Sequence, residues 1–257
     1  MSKISTAFQN GPAFIGFLTA GDPNLAKTEE YVLAMEEAGA DLIEIGIPFS
    51  DPVAEGKVIE EANVRALQAM TTLENVFDMV SRLRSKTDIP LVFLSYINPI
   101  FRFGLDAFFE RCSHVGLDGV IIPDLPYEER GELLPFAQKH QVDIITMIAP
   151  TSESRILRLA QEASGFIYLV SSMGVTGVRS EITTDLKSMI TTIQSVTNVP
   201  ICVGFGISTP EQAKGIAQDA DGVIVGSAIV KMIEAYGQLA EPHLRNYVTV
   251  MKRAIQN

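Results

Sequence analysis

Short apolar runs recur along the chain and alternate with longer stretches in which apolar residues repeat at helical spacing. Gly, Pro or Asp bounds each run, and these residues end one element and begin the next. Strands that alternate with helices are typical of βα units around a parallel sheet. The pattern predicts eight strands, at 13–18, 42–47, 91–96, 119–122, 143–148, 166–170, 201–203 and 222–225.

Helical patterns fill the intervals between these strands and are long enough to cover a sheet. The main ones lie at 25–38, 73–84, 105–114, 128–139, 153–163, 184–196 and 210–218, with extra helices at 57–70 after the second strand and 228–236 after the eighth, and a last one at 239–255. Eight strands without a linker-like tract favour an α/β fold of the (β/α)8 TIM barrel type over a doubly wound sheet. We therefore expect residues 1–257 to form a single barrel domain.

Composition and charge narrow the class of protein. Of the 257 residues, 47% are hydrophobic and 20% are charged, which is typical of a globular chain. The formal net charge of -11 argues against nucleic acid or an anionic membrane as a partner. No apolar run reaches the roughly 18 residues of a membrane span, and the N-terminus lacks an apolar signal core, so we expect a soluble, cytoplasmic protein.

The segment 41–56 places an ionisable residue inside an apolar strand pattern. Read with a period of two, Glu44 shares its face with Gly46, which leaves room for a ligand, while isoleucines occupy the other face. Burial raises the pKa of a carboxyl group and suits it to proton transfer near neutral pH. The alternative is a structural Glu that is satisfied by backbone donors or by an arginine.

Small residues follow three consecutive strands near the end of the chain, at 171–178, 204–208 and 226–227. Such loops let backbone N–H groups approach an anion, and the start of a short helix adds a partial positive charge, so a phosphate site is predicted here. Tight turns alone are the alternative explanation. The Gly-rich loop at 174–181 is also predicted to close over the substrate as a lid.

Several motifs together resemble the alpha subunit family of tryptophan synthase. They are FLTAGDP at 17–23, EIGIPFSDP at 44–52, YINP at 96–99, PDLP at 123–126, GVTG at 174–177, GFGIS at 204–208 and GVIVGS at 222–227. The resemblance implies a lyase that splits indole-3-glycerol phosphate into indole and glyceraldehyde 3-phosphate by a retro-aldol reaction without a cofactor. The segment before Gly11 looks shorter than the family's leading helix, which leaves open whether it plugs the lower end of the barrel.

The resemblance also implies roles for two carboxylates. Glu44 matches the family's acid/base position, from which one side chain protonates C3 of the indole ring and takes a proton from the side-chain hydroxyl. Glu55 stands where the family usually has the Asp that holds the indole N–H and stabilises positive charge on the ring. The extra methylene moves this carboxylate by roughly 1 Å, which predicts an active but slower enzyme.

Further contacts follow from the same resemblance. Phe17, Leu94 and Tyr96 fit the positions that form the indole pocket, Tyr168 fits a position beside the catalytic Glu, and Thr176 would touch groups from the loop after the second strand. An ordinary barrel core is the alternative for the four side chains of Phe17, Leu94, Tyr96 and Tyr168. The family's phosphate contacts fall on Gly177, Gly206, Gly226 and Ser227.

The family works as an α2β2 complex in which indole passes to a pyridoxal-phosphate beta subunit, so the resemblance implies a protein partner. Pro48, Asp51, Asn98 and Pro126 lie on predicted loops at the barrel mouth, where they are placed to meet it. Proline-rich loops are also compatible with a rigid surface that faces solvent only.

Three other functions stay open at the level of sequence. A Schiff-base aldolase needs a desolvated lysine, for which Lys57 is the nearby candidate. A metal-assisted reaction could use the oxygen ligands of Glu44, Asp51, Glu55 and Asp124, although no histidine falls at a strand end. The third is a largely non-catalytic barrel that activates a partner subunit.

Overall fold

Eight parallel strands close into a barrel in which each strand pairs with the next and the last pairs with the first. A computed structural model describes residues 2–150, 153–171, 183–204 and 206–256, with only the backbone for 183–185. The strands are β1 (Ala13–Thr19), β2 (Leu42–Gly46), β3 (Leu91–Leu94), β4 (Gly119–Ile121), β5 (Asp143–Ile148), β6 (Ser164–Val170), β7 (Ile201–Gly204) and β8 (Gly222–Val225). The predicted TIM barrel is confirmed.

Helices surround the barrel and connect its strands. They are α1 (Leu25–Glu37), α2 (Lys57–Gln68), α3 (Leu73–Leu83), α4 (Ile97–Phe103), α5 (Leu105–His114), α6 (Leu134–His140), α7 (Glu153–Gln161), α8 (Thr183–Gln194), α9 (Pro210–Ala217), α10 (Ser227–Tyr236) and α11 (Glu241–Gln256). Both predicted extra helices, α2 and α10, are present. Within the described part of the chain, no helix is both long and apolar enough to cross a membrane.

The sequence pattern missed helix α4. The predicted third strand runs to Tyr96 and no element is predicted at 97–104, but β3 ends at Leu94 and α4 begins at Ile97. The Asp124 carboxylate accepts a hydrogen bond of 2.9 Å from the backbone N–H of Ile97, which caps the first turn. Pro99 is tolerated in that turn because the first N–H groups of a helix have no intrahelical partner.

The single helix predicted at 128–139 is wrong, because the structure divides this stretch in two. A 3-10 helix at Tyr127–Glu132 is followed by α6, which has a proline in its first turn. Gly131 weakens a continuous helix, and Pro135 fits the start of a new one.

Two apolar layers line the two faces of the barrel wall. Ile43 and Ile45 of β2 pack outward in the large cluster between strands and helices. Leu42 packs inward with Val92, Ile121 and other residues of the barrel interior. This alternation fixes the direction of every side chain on β2, including that of Glu44.

A short 3-10 helix at Ile4–Phe8 closes the lower end of the barrel. Ile4 is 1% exposed and belongs to the interior cluster. Its Cδ1 would lie 3.2 Å from a Cβ added to Gly119 and 3.1 Å from one added to Gly165, so these glycines make room for it. The short N-terminal segment therefore still plugs the lower end, with the side chain of Ile4 in the barrel interior.

Candidate active site

Glu44 lies inside the barrel, as the alternation along β2 predicted. It is in register with Phe17 of β1 and Val92 of β3, and it is only 1% exposed. Its Oε2 is buried without a hydrogen-bond partner. Among the described residues it makes no ion pair with Lys or Arg, which removes the arginine-paired form of the structural alternative.

Burial dominates the electrostatics of Glu44. It raises the pKa of this carboxyl group to about 8, and the nearby charge of Glu55 adds to the increase. A carboxyl group with such a pKa is largely protonated at neutral pH and can both give and take a proton there. An unpartnered buried carboxyl oxygen is costly for folding, which makes this position a functional candidate.

Glu55 lies in the loop that leads from β2 into α2. Asn63 of α2 donates a hydrogen bond of 2.6 Å from Nδ2 to its Oε2. Burial raises the pKa of Glu55 to about 7, while hydrogen bonds from Asn63 and Tyr96 oppose the increase. The carboxylate is therefore held in place and titrates close to neutral pH.

Helix α2 is itself fixed to the barrel by an ion pair. Arg65 donates two hydrogen bonds, of 2.9 and 2.8 Å, to the carboxylate of Asp22 in the loop after β1. Asp22 is only 3% exposed. A bidentate pair of this kind gives geometric precision. It holds α2, and with it Asn63, at a defined distance from the barrel mouth.

Phe17 occupies the space that the sequence analysis assigned to a ligand above Gly46. A Cβ on Gly46 would lie 2.7 Å from Cζ of Phe17. The expectation of open space at Gly46 is therefore wrong, because an aromatic ring from the neighbouring strand fills it. Phe17 packs with Ile59 of α2, Val230 of α10 and Leu94 in a small cluster at the mouth.

Two tyrosines complete the surroundings of the carboxylates. The Tyr96 hydroxyl accepts a hydrogen bond of 3.3 Å from the backbone N–H of Ala54, and its ring stacks on Phe49 with centroids 5.2 Å apart.

Tyr168 lies over Gly204, where a Cβ would overlap its hydroxyl. Burial, followed by the charge of Glu44, raises the pKa of Tyr168 well above its usual value. Tyr168 thus lies in the barrel interior, the side to which Glu44 also points.

The predicted phosphate side of the mouth is only partly within the described residues. Gly206 has a φ of +76° and open space where a side chain would be. Gly226 caps helix α10, which begins at Ser227. Thr176, Gly177 and the predicted lid at 174–181 lie outside the described residues.

Three of the four residues predicted to meet a partner are on the surface. Asp51, Asn98 and Pro126 are exposed, whereas Pro48 is buried within the chain and offers no side-chain surface. Sequence reasoning missed two exposed apolar residues, Val53 at 76% and Phe101 at 68%. Phe101 was missed because helix α4 was not predicted. The outward direction of its side chain follows only from its position on that helix.

Asn63 was missed as well, although the sequence carried a signal. On helix α2 the buried positions are Ile59, Ala62, Asn63 and Ala66, so a polar amide interrupts an otherwise apolar stripe. A buried polar side chain needs a partner. The pattern pointed to a hydrogen bond but not to Glu55 as its acceptor.

The structure gives little support to the two rival chemistries. The side chain of Lys57 is 84% exposed and lies 3.6 Å from Glu61, so it is not the desolvated amine that a Schiff base needs. Among the described residues, no group of three or more His, Cys, Asp or Glu is arranged to hold a metal ion.

Comparison with known sequences decides the family. The family model described as tryptophan synthase alpha chain matches residues 4–256. The chain is 48% identical over 255 residues to the tryptophan synthase alpha chain of Lacticaseibacillus casei, which covers 99% of this chain and 96% of the relative. The corresponding chain of Lactiplantibacillus plantarum is 50% identical over 256 residues, with 99% and 97% covered. The chain belongs to the tryptophan synthase alpha chain family.

Solved structures agree with this assignment to the tryptophan synthase alpha chains. A chain of Mycobacterium tuberculosis tryptophan synthase superposes with a TM-score of 0.91 at 32% identity, covering 100% of this chain and 99% of that one. A chain from the tryptophan synthase a2b2 complex of the hyperthermophile Pyrococcus furiosus gives 0.88 at 35% identity, covering 94% and 98%. The barrel and its decorating helices are therefore those of the family.

Proposed function

We propose that this chain cleaves indole-3-glycerol phosphate into indole and glyceraldehyde 3-phosphate, with Glu44 as the acid and the base. The observation that carries the assignment of Glu44 is its buried, unpartnered carboxyl oxygen inside the barrel, together with a pKa raised to about 8. No other carboxylate of the barrel interior combines these two properties among the described residues.

The proton balance needs only this one side chain. Protonated Glu44 gives its proton to C3 of the indole ring, so that the bond from C3 to the glycerol carbon can break with indole as the leaving group. The Glu44 carboxylate then takes the proton of the adjacent hydroxyl as that group becomes the aldehyde of glyceraldehyde 3-phosphate. Glu44 ends the cycle in the protonated form in which it began it.

Glu55 serves the reaction in its ionised form. A carboxylate that accepts the indole N–H stabilises the positive charge that develops on the ring when C3 is protonated. The hydrogen bonds from Asn63 and Tyr96 favour that ionised form and fix the direction of the carboxylate. They supply a physical reason for a Glu to work where the family usually has Asp.

Substrate contacts extend to the opposite side of the mouth. Gly206, Gly226 and Ser227 would approach the phosphate through backbone groups and the start of helix α10, with Gly177 from the loop after β6. The side chains of Phe17, Leu94 and Tyr96 would hold the indole ring. These roles follow from the family pattern, and the described residues among them lie on β1 or at the carboxyl ends of β3, β7 and β8.

We also propose that the chain assembles with a pyridoxal-phosphate beta subunit as an α2β2 complex. Support comes from the similarity to a chain of the Pyrococcus furiosus a2b2 complex. The exposed residues Asp51 and Pro126 lie on loops after β2 and β4, and Asn98 lies in the first turn of helix α4 after β3. The exposed side chains of Val53, in the loop after β2, and of Phe101, on α4, add apolar surface there.

A cytoplasmic location completes the proposal. Both cysteines, Cys112 and Cys202, are free and buried, which fits a reducing compartment. Fractionation of the producing cells tests it, since activity in a periplasmic or secreted fraction would contradict this location.

One assay tests the proposed reaction. Release of glyceraldehyde 3-phosphate from indole-3-glycerol phosphate is measured for the chain alone and with a beta subunit added. We expect release in both cases, with equimolar indole when the chain acts alone. Stimulation of the beta reaction without any cleavage would instead favour the non-catalytic barrel.

A further inference from the structure

A cavity of about 370 Å³ lies beside the barrel wall, between β5, the loop after β4, the 3-10 helix at Tyr127–Glu132 and α7. Its wall includes the apolar side chains of Ile122, Leu125, Ile144 and Leu159. Ile122 and Ile144 belong to the cluster between strands and helices, whereas Glu44 faces the barrel interior. Ile145 and Met147 of the lining face the barrel interior, but none of the side chains of Glu44, Glu55, Tyr96 and Tyr168 lines the cavity, which is therefore distinct from the proposed active site.

Arg130 lines this cavity and is only 7% exposed. Its Nη1 donates a hydrogen bond of 3.0 Å to Oγ1 of Thr146, and its Nη2 donates one of 3.1 Å to the carbonyl of Ile144. Its Nε has no hydrogen-bond partner. Among the described residues, no carboxylate lies within ion-pair distance of this guanidinium.

Such a cation is unusual because a guanidinium keeps its charge even when it is buried. Removing a charge from water without a counter-ion costs several kcal/mol, and its two neutral acceptors offset only part of that. Arg84, whose side chain is half-buried at 12% exposure, has a carboxylate partner, since Oδ2 of Asp118 lies 2.8 Å from its Nη2. Arg130 is buried but has no carboxylate partner among the described residues.

Two glutamates near the cavity bind other side chains. Glu128 pairs with Arg155 at 3.0 Å, and Glu162 accepts a hydrogen bond from the hydroxyl of Tyr127. Arg158 lies over the Tyr127 ring, 4.8 Å from its centroid. Arg155, the other arginine that lines the cavity, therefore has a carboxylate partner, whereas Arg130 has none among the described residues.

We infer that this cavity binds a small organic carboxylate, whose apolar body packs against Leu125, Ile144 and Leu159 and whose anionic group pairs with Arg130. The volume is at the lower end of the range of small-molecule pockets, which suits a ligand of one ring with a short acid chain. The two oxygens of a carboxylate also match the parallel N–H groups of a planar guanidinium. The inference is independent of the proposed lyase reaction.

A pair of probes that differ only in charge tests the site. Binding of 3-phenylpropionate and of its neutral amide to the full chain is measured by isothermal titration calorimetry. We expect the acid to bind at least tenfold more tightly than the amide. Equal affinity, or no binding of the acid at about 10 mM, would overturn the inference.

Location is tested on the wild-type protein with labelled methyl groups. We expect intermolecular NOEs from the phenyl ring of the acid to the methyls of Ile144 and Leu159. NOEs to Ile224, which packs inside the barrel, would instead place the probe in the barrel interior and refute the assignment. This measurement needs no variant and holds even if a change at Arg130 impairs folding.

Substitution then identifies the charged group. Arg130→Met is expected to weaken binding of the acid at least tenfold and to leave the amide unaffected. Arg102→Met, which removes an exposed arginine of helix α4, is the matched control and should bind as the wild type does. Retained affinity in Arg130→Met would show that Arg130 is not the partner of the carboxylate.

Discussion

The side-chain amide of Asn63 donates a hydrogen bond of 2.6 Å to the carboxylate of Glu55. This contact joins the loop after β2 to helix α2, which the pair of Arg65 and Asp22 fixes to the barrel. Glu55 in turn raises the pKa of Glu44. An ion pair outside the site is thus linked through α2 and Asn63 to Glu55, whose charge adds to the effect of burial on the proposed acid and base.

These linked ionisations predict a narrow pH optimum for cleavage. Glu44 acts in its protonated form, which is lost above about pH 8, and Glu55 acts in its ionised form, which is lost below about pH 7. We expect a bell-shaped dependence of kcat/KM on pH. The apparent pKa values of its two limbs describe the coupled pair of carboxyl groups and not either residue alone. A profile that is flat from pH 6 to 9 would contradict these ionisations.

Removing the Asn63 amide should move the acidic limb of this profile. The hydrogen bond from Asn63 lowers the pKa of Glu55, so Asn63→Leu raises that pKa above about 7 and shifts the limb to higher pH. Measurement of kcat/KM against pH checks this shift. Gln68→Leu, an exposed change on the same helix, is the control and should leave the limb in place.

Glu55→Asp tests whether the site is adapted to its longer carboxylate. Shortening the side chain draws the carboxylate away from Asn63, and a misplacement of about 1 Å costs roughly tenfold to a hundredfold in rate. We therefore expect kcat to fall, although Asp is the usual family residue here. An unchanged or faster rate would mean that Asn63 and Tyr96 do not compensate for the extra methylene.

Glu44 should also make stability depend on pH. Its pKa is near 4.5 in the unfolded chain and about 8 in the folded protein, so the folded state binds the proton more strongly. The stability that this proton contributes is complete below about pH 4.5 and is lost as the pH rises through 8. Glu44→Gln keeps the neutral form at every pH.

Thermal unfolding measures this effect directly. The difference in Tm, Glu44→Gln minus wild type, should be at least ~3 °C larger at pH 8 than at pH 5. Glu110→Gln, an exposed change on helix α5, should show no such difference. The opposite trend for Glu44→Gln would mean that this carboxyl group is not destabilised by burial.

The contact between Gly46 and Phe17 predicts a steric effect. A methyl group at Gly46 would overlap the ring of Phe17, so Gly46→Ala should destabilise the protein by about 1–3 kcal/mol. Phe17→Leu in the same chain should recover part of that loss, which a double-mutant cycle in urea would detect. Gly215→Ala on helix α9, where a Cβ has open space, should be neutral or stabilising.

The barrel was predictable because each strand is an apolar run with clear boundaries, and the inward direction of Glu44 follows from simple alternation. Helix α4 was not predictable from the sequence, because its first turn is capped by Asp124, which lies 27 residues from Ile97 along the chain. The filling of the space at Gly46 depends on Phe17 of the adjacent strand, and the partner of Asn63 depends on a loop. These are contacts between different elements, and the hydrophobic periodicity of a single element gives no information about them.

The most direct test of the proposed chemistry compares Glu44→Gln with wild type. The assay is release of glyceraldehyde 3-phosphate from saturating indole-3-glycerol phosphate, for a variant whose Tm shows that it is folded. Loss of the acid and base predicts a fall in kcat of about 10²- to 10⁴-fold. A kcat within about twofold of wild type would contradict the role of Glu44.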